Sequence, residues 1–163
     1  MDTPATAAAW FLPFVVPISL WVAYSDLRRM IIPNRAVMAL LAVFIVLGPF
    51  VLPLDDWGWR WVNFAVVLVA GFVFSSLGLG GAGDAKFAAA MAPFVAVGDL
   101  STLSLLLAAI VLATVIVHRI LGRIPAFLNA VTDWKSWHSG KKFPMGLPLG
   151  LTVIAYLGLA ATS

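Results

Sequence analysis

The 163-residue sequence contains no cysteine, no glutamate and only two histidines, His118 and His138. The absence of cysteine excludes disulfides, cysteine-bound zinc and a thiol nucleophile. Two histidines alone cannot make a histidine-rich metal site, so we expect neither a metal nor any other cofactor. Because all seven acidic residues are aspartate, few side chains remain for acid–base chemistry.

Charge is also scarce. Only 10% of the residues are charged and 63% are hydrophobic, with a mean hydropathy of +1.05. Soluble domains are about a quarter charged and about half apolar, so lipid must surround most of this chain. The net charge of +3 fits basic residues that flank membrane spans, and we expect no nucleic-acid binding. The N-terminus lacks a basic region, which predicts a retained span rather than a signal peptide.

Apolar runs predict one all-α domain over residues 1–163, a polytopic membrane helix bundle of about six transmembrane helices. We place the spans at residues 7–24, 36–54, 61–79, 87–97, 100–117 and 143–161. The fourth run has 11 residues and is too short to cross alone at 1.5 Å per residue. It therefore starts within the membrane or is re-entrant, and either arrangement requires a cavity around it.

The distribution of basic residues predicts the orientation. With the N-terminus outside, nine of the ten basic residues fall in cytoplasmic loops, and only Arg60 lies outside, beside Asp55 and Asp56. Cytoplasmic loops carry an excess of Lys and Arg, and re-entry of the fourth run would break this bias. The polar stretch 122–140 predicts a helix at the membrane interface. The cytoplasmic set is Arg28, Arg29, Arg35, Lys86, Arg119, Arg123, Lys135, Lys141 and Lys142.

Two aspartates stand out from the others by position. Asp26 directly follows the first span and Asp84 precedes the fourth, so loop parity places both on the cytoplasmic side. When two carboxyls share one site, one keeps its proton at a raised pKa while the other stays ionised. Such a pair can activate water and polarise a peptide carbonyl. Asp26 and Asp84 are therefore the candidate catalytic residues.

Residues near these aspartates are candidates for binding substrate or shaping the site. Gly81 and Gly83 allow unusual backbone angles and close approach of a substrate strand, although glycines also serve tight helix packing. Lys86 either influences the charge of the second aspartate or snorkels to the headgroups. Pro33 and Asn34 open the next helix, because proline is favoured in a first helical turn.

Two segments resemble the motifs of type IV prepilin peptidases. Residues 26–34, Asp-Leu-Arg-Arg-Met-Ile-Ile-Pro-Asn, resemble the first motif, an Asp followed shortly by Ile-Pro-Asn. Residues 81–86, Gly-Ala-Gly-Asp-Ala-Lys, resemble the second, Gly-x-Gly-Asp-x-Lys. Residues 143–146, Phe-Pro-Met-Gly, are similar to a weaker Pro-Tyr-Gly motif in which Met145 replaces tyrosine. The resemblance extends over about residues 19–154.

The resemblance implies a GxGD-type aspartic peptidase of the bacterial inner membrane, with Asp26 and Asp84 as the catalytic pair. Its implied partners are membrane lipid and a prepilin substrate, which has an apolar helix and a basic leader that is removed at the cytoplasmic face. Larger members carry an insertion, often with a cysteine-bound metal, and also N-methylate the mature pilin. This chain lacks cysteine and room for the insertion, so it resembles the compact Tad-type peptidases of Flp pilins, and we expect cleavage without methylation.

Two other classes of function are consistent with the composition. Aspartates near spans also form proton or cation pathways, so a small membrane transporter is an alternative. Transport predicts ion flux in vesicles and no cleavage of a prepilin. An inactive scaffold for pilus assembly would tolerate Asp26→Asn and Asp84→Asn, whereas the peptidase hypothesis requires each substitution to abolish cleavage.

Overall fold

The computed structural model describes residues 1–140 and 142–163, and these form eight α-helices and two short 3-10 turns without a β-strand. The predicted all-α class is confirmed. Lys141, assigned above to a cytoplasmic loop, lies outside the described residues. The helices are α1 (Ala5–Arg29), α2 (Asn34–Val51), α3 (Leu54–Ser76), α4 (Ala82–Met91), α5 (Leu100–Leu121), α6 (Pro125–Ala130), α7 (Lys135–His138) and α8 (Gly146–Ala160).

Four segments of the described chain are long and apolar enough to cross a bilayer. They are Ala5–Arg29, Asn34–Val51, Leu54–Ser76 and Val97–Leu121. Helix α8 has 15 residues and α4 has 10, both below the roughly 20 that a single crossing needs. The protein is therefore a helical membrane protein, and its six predicted passes are compatible with four full-length helices and two short ones.

Several predicted boundaries are wrong. The third span was predicted at 61–79, but α3 begins at Leu54, so Asp55 and Asp56 lie in its first turn, where negative charge is favourable. Arg60 is consequently a buried helical residue that pairs with Asp56 at 3.0 Å, not a loop residue. The sixth span begins at Gly146 rather than at 143. The stretch 122–140 forms two short helices, α6 and α7, instead of one.

The fourth predicted span also differs from its predicted limits of 87–97. Helix α4 begins at Ala82 and continues into a 3-10 turn at Ala92–Phe94. Beyond this turn, the backbone N–H of Ala96 donates to Thr3 Oγ1 at 3.2 Å, beside the N-terminus. The segment therefore runs from the glycine-rich loop to the opposite end of the bundle, as a crossing segment does and a re-entrant one does not.

Close packing sets the depth at which α4 begins. A Cβ on Gly71 of α3 would lie 2.8 Å from the Cβ of Ala85, so the two backbones meet there. Helix α3 continues to Ser76, five residues or about 7.5 Å further. The first turn of α4 therefore lies below the end of α3.

The core is built where α1 packs against α2 and α8, and where α3 packs against α4. Three buried rings meet at its centre: Phe11 lies 5.9 Å from Phe44 and 4.9 Å from Phe94, measured between ring centroids. Offset and edge-to-face pairs of this kind add to the apolar burial. Helices α3 and α5 expose most of their surface, as lipid-facing helices do. Helices α1, α4 and α8 thus occupy the centre of the bundle.

A hydrogen-bonded cluster closes the end of the bundle at which α1 begins. The carboxylate of Asp99 accepts hydrogen bonds from the backbone N–H groups of Asp2 at 2.9 Å and Thr3 at 3.0 Å. The hydroxyl of Tyr156 donates to the same carboxylate at 2.7 Å. A buried carboxylate is tolerated where its oxygens are hydrogen-bonded, and this one ties the N-terminus to α8.

Candidate active site

Asp26 and Asp84 line one cavity of about 800 Å³. Asp26 lies in the last turn of α1 and Asp84 is the third residue of α4. Four of the five other predicted site residues line the same cavity: Asn34, Gly81, Gly83 and Lys86. The structure therefore brings together residues that are separated by more than 50 positions in the sequence.

Pro33 is the predicted site residue that does not line this cavity. It immediately precedes α2, and its carbonyl accepts a hydrogen bond from the backbone N–H of Ala36 at 3.0 Å. Its place at the helix start agrees with its predicted structural role. Asn34, the first residue of α2, carries the side chain that borders the cavity.

The cavity exists because two short helices begin beside it. Helices α4 and α8 start at Ala82 and Gly146, and residues of α4 and of the loops before both helices form part of the wall. The first N–H groups of a helix have no intrahelical acceptor, and a helix N-terminus carries a partial positive charge. Both features favour carboxylates at this place.

Asp26 receives a hydrogen bond from the start of α8. The backbone N–H of Gly146 donates to Asp26 Oδ2 at 2.7 Å, a length typical of charge-assisted bonds. Asp26 is only 5% exposed. A Cβ on Gly146 would lie 3.0 Å from the same oxygen, so only glycine fits without a shift.

The sequence did not predict Gly146 as a site residue. The Phe-Pro-Met-Gly segment was the feature that could have identified it, because Gly146 ends that weak motif. Phe143 and Met145 of the same segment line the cavity, as does Lys142. The segment therefore forms one wall of the site.

The position of the Asp84 carboxyl group depends on Gly81, three residues before it. A Cβ on Gly81 would lie 2.6 Å from Asp84 Oδ2, so a side chain at position 81 would displace the carboxyl group. Asp84 is half-buried, and its place in the first turn of α4 puts the carboxyl beside the positive end of that helix.

Ile32 connects the two helices that begin at the cavity. Its side chain is buried, with 8% exposed. A Cβ on Gly83 would lie 3.5 Å from the Cβ of Ile32, an ordinary contact distance, and a Cβ on Gly146 would lie 3.1 Å from its Cδ1. The loop between α1 and α2 thus packs against both α4 and α8, next to each aspartate.

The same loop is held by side-chain hydrogen bonds and a left-handed residue. Ser25 Oγ donates to the carbonyl of Ile31 at 2.7 Å, and Arg29 Nη2 donates to Ser25 Oγ at 2.9 Å. Met30 ends α1 with φ 57°, a conformation that is uncommon outside glycine. A residue keeps this left-handed conformation only when the surrounding structure fixes its backbone. The loop at the cavity is therefore rigid.

Lys86 has an exposed side chain at the border of the cavity. Within residues 1–140 and 142–163 it forms no ion pair, since the salt bridges there join Arg28 to Asp133 and Arg60 to Asp56. A direct pairing of Lys86 with Asp84 is therefore not observed, which favours the alternative in which its ammonium extends to the headgroups.

The connection between α5 and α8 is anchored next to the cavity wall. Trp137 stacks on His118 with 4.5 Å between ring centroids, and its Nε1–H donates to the His118 carbonyl at 3.1 Å. His118 also meets Phe143 edge-on at 5.5 Å. The aromatic contacts thus help to hold the Phe143–Gly146 wall, while His118 lies outside the cavity.

The described part of the chain has no group of three histidine or acidic side chains that could hold a metal ion. Among the described residues, the acid–base groups of the cavity are the two carboxyls and the two lysines, Lys86 and Lys142. Two carboxyls that line one cavity can serve as general acid and general base.

Comparison with known protein families identifies the family of this chain. It belongs to the type IV leader peptidase family, whose family model matches residues 13–118, more than half of the sequence. The match confirms the resemblance predicted from the motifs and includes both aspartates. Membership of this family makes the chain a membrane peptidase. No curated protein and no solved structure matches the chain.

Proposed function

We propose that this protein is an aspartic endopeptidase that removes the leader peptide from type IV, Flp-like prepilins. Asp26 and Asp84 are its catalytic pair, and the reaction takes place at the cytoplasmic face of the bacterial inner membrane. The observation that carries this proposal is the single 800 Å³ cavity lined by both aspartates, each within a motif that resembles those of prepilin peptidases.

The two carboxyls share one proton in the resting state, because two adjacent carboxylates do not readily both ionise. The ionised carboxylate removes a proton from water as the water oxygen bonds to the scissile carbonyl carbon. The protonated carboxyl gives its proton to the carbonyl oxygen, and a tetrahedral diol results. The C–N bond then breaks as the first carboxyl protonates the leaving amine, and a diol proton returns to the second.

The peptide must be extended when it is cleaved, because a helical peptide engages its carbonyls in hydrogen bonds. The segment 78–81 suits an extended substrate. It borders the cavity, contains three glycines and is exposed. Backbone without side chains allows close approach of a second strand, so this segment supports binding of the leader junction.

The distribution of charge supports a cytoplasmic site. Arg28, Arg29 and Arg35 flank the loop between α1 and α2, and Lys86 and Lys142 border the cavity. Excess Lys and Arg mark the cytoplasmic end of membrane helices. The N-terminus, at the other end of α1, would then lie outside.

Cleavage without N-methylation follows from the compact chain. The connection between α1 and α2 has four residues, from Met30 to Pro33, so it has no inserted domain, and the sequence has no cysteine. We accordingly propose that the mature pilin leaves this enzyme with an unmodified amine, which mass spectrometry of the product would show.

The proposal is tested by co-expression with an Flp-type prepilin and measurement of the pilin size. We expect cleavage by the wild type and none by Asp26→Asn or Asp84→Asn. Asp133→Asn is the matched control, because Asp133 is exposed and pairs with Arg28 at 3.3 Å at the same end of the bundle. Cleavage by either active-site variant would exclude that residue from catalysis. Ion flux in vesicles without cleavage would support the transporter interpretation.

A further inference from the structure

Helices α3 and α5 leave most of their surface exposed. Helix α3 packs mainly against α4, and α5 packs mainly against α8. Two apolar cavities, of about 490 Å³ and 310 Å³, lie along the inner side of α3. They share the lining residues Val66, Val67, Ala88 and Leu149, so together they form one continuous groove. We call this the α3–α5 groove, since Val66 and Val67 form its α3 side and Leu103 and Leu107 its α5 side.

One end of the α3–α5 groove opens into the candidate active site. Leu79, Gly81, Asp84 and Met145 line both the groove and the 800 Å³ cavity. The other end reaches Val97, beside the Asp99 cluster. A ligand that fills the groove therefore extends from a catalytic carboxyl towards the opposite face of the membrane.

The lining of the groove suits a membrane helix, and its length fits a little over half of one crossing. It follows α3 from Asn63 to Ser75, which is about 18 Å or a little over three helical turns. Its floor on α4 consists of Ala85, Ala88 and Ala92, which are half-buried. Small residues let the backbone of a second helix approach closely in lipid.

We propose that the α3–α5 groove binds the apolar helix of the prepilin, an inference that rests on the proposed function. A leader peptidase must recognise a substrate whose scissile bond lies next to the start of a membrane helix. A helix in this groove ends at Asp84, so its first residues enter the active-site cavity. Binding of a lipid acyl chain does not require that the groove open into the active-site cavity. A second copy of the enzyme in the groove would block access of a substrate to the carboxyls.

Cross-linking tests the position of the substrate, because the natural chain has no cysteine. Val67→Cys and Leu103→Cys place a thiol in the groove. Val69→Cys and Leu105→Cys are matched controls on the same helices, at exposed positions outside the groove. Each is combined with Asp26→Asn, to keep the substrate intact, and with a prepilin that has one cysteine in its apolar helix.

We expect disulfide adducts with the prepilin at the two groove positions and not at the two controls. Equal yields at all four positions would overturn the inference. Enzyme–enzyme dimers at Val67→Cys and Leu103→Cys in place of prepilin adducts would also overturn it, since a second copy would then occupy the groove.

Kinetics separate this inference from the proposed function. Ala88→Leu fills the floor of the groove, and Val69→Leu is the control on the exposed face of α3. We expect Ala88→Leu to lower kcat/KM for the full prepilin by about tenfold relative to a short peptide that contains only the leader junction. An equal loss with both substrates, or no loss, would overturn the groove assignment. A wild-type enzyme that cleaves neither substrate would instead refute the peptidase function.

Discussion

The backbone N–H of Gly146 donates to Asp26 Oδ2 at 2.7 Å, which joins the first residue of α8 to the last turn of α1. The two residues are 120 positions apart. This bond orients the carboxyl of Asp26 and places the positive end of a helix beside it. The start of α8 is thus part of the site rather than only a neighbouring helix.

Gly146→Ala should reduce cleavage strongly. The added Cβ would lie 3.0 Å from both Cβ and Oδ2 of Asp26 and 3.1 Å from Cδ1 of Ile32, so the carboxyl must shift. A displacement of about 1 Å in an active site can cost about a hundredfold in rate. Gly158→Ala is the control in the same helix, because nothing lies within 4 Å of its added Cβ. Equal rates of prepilin cleavage by both variants would contradict the role of Gly146.

The two glycines before Asp84 should differ in their tolerance of alanine. Gly81→Ala would place a Cβ 2.6 Å from Asp84 Oδ2, which moves the carboxyl, whereas Gly83→Ala meets Ile32 at an ordinary 3.5 Å. We expect Gly81→Ala to lose at least about tenfold in kcat and Gly83→Ala to lose much less. Single-turnover cleavage of a prepilin measures both rates, and the reverse order would refute this interpretation.

Tyr156→Phe should lower stability without affecting catalysis. The Tyr156 hydroxyl is buried and donates to Asp99 at 2.7 Å, at the end of the bundle opposite Asp26 and Asp84. Loss of a hydrogen bond to a charged group costs about 2 kcal/mol. We expect a lower melting temperature in nanodiscs and an unchanged kcat at a temperature where both proteins are folded. A reduced kcat with unchanged melting would indicate a functional link between the two ends.

The sequence predicted the helical class and the aspartate pair because both depend on local features. Apolar composition requires helices in lipid, and the two motifs around Asp26 and Asp84 are contiguous in the chain. Loop parity then placed both residues on one side. The predicted limits of the third, fourth and sixth spans were wrong, since helix ends in a bundle depend on packing as well as hydropathy.

Arg60 shows what charge counting alone leaves open. Positive-inside reasoning placed it on the outer side, but only the structure shows that it is 2% exposed and bonds to Asp56 and to the Pro93 carbonyl. The sequence does not reveal that α3 begins at Leu54, which puts Arg60 and Asp56 one helical turn apart. A charge is stable in that position only because its partners are supplied by neighbouring elements.

Composition by itself determined that this chain lies in a membrane and is helical, and the local motifs predicted that its chemistry rests on aspartate. Only the tertiary structure decided that α4 begins below the end of α3, that Gly146 binds Asp26 and that an apolar groove leads to Asp84. The reason is that each of these features arises from contacts between helices distant in sequence, where the absence of a side chain at Gly71 or Gly146 sets how closely two backbones approach.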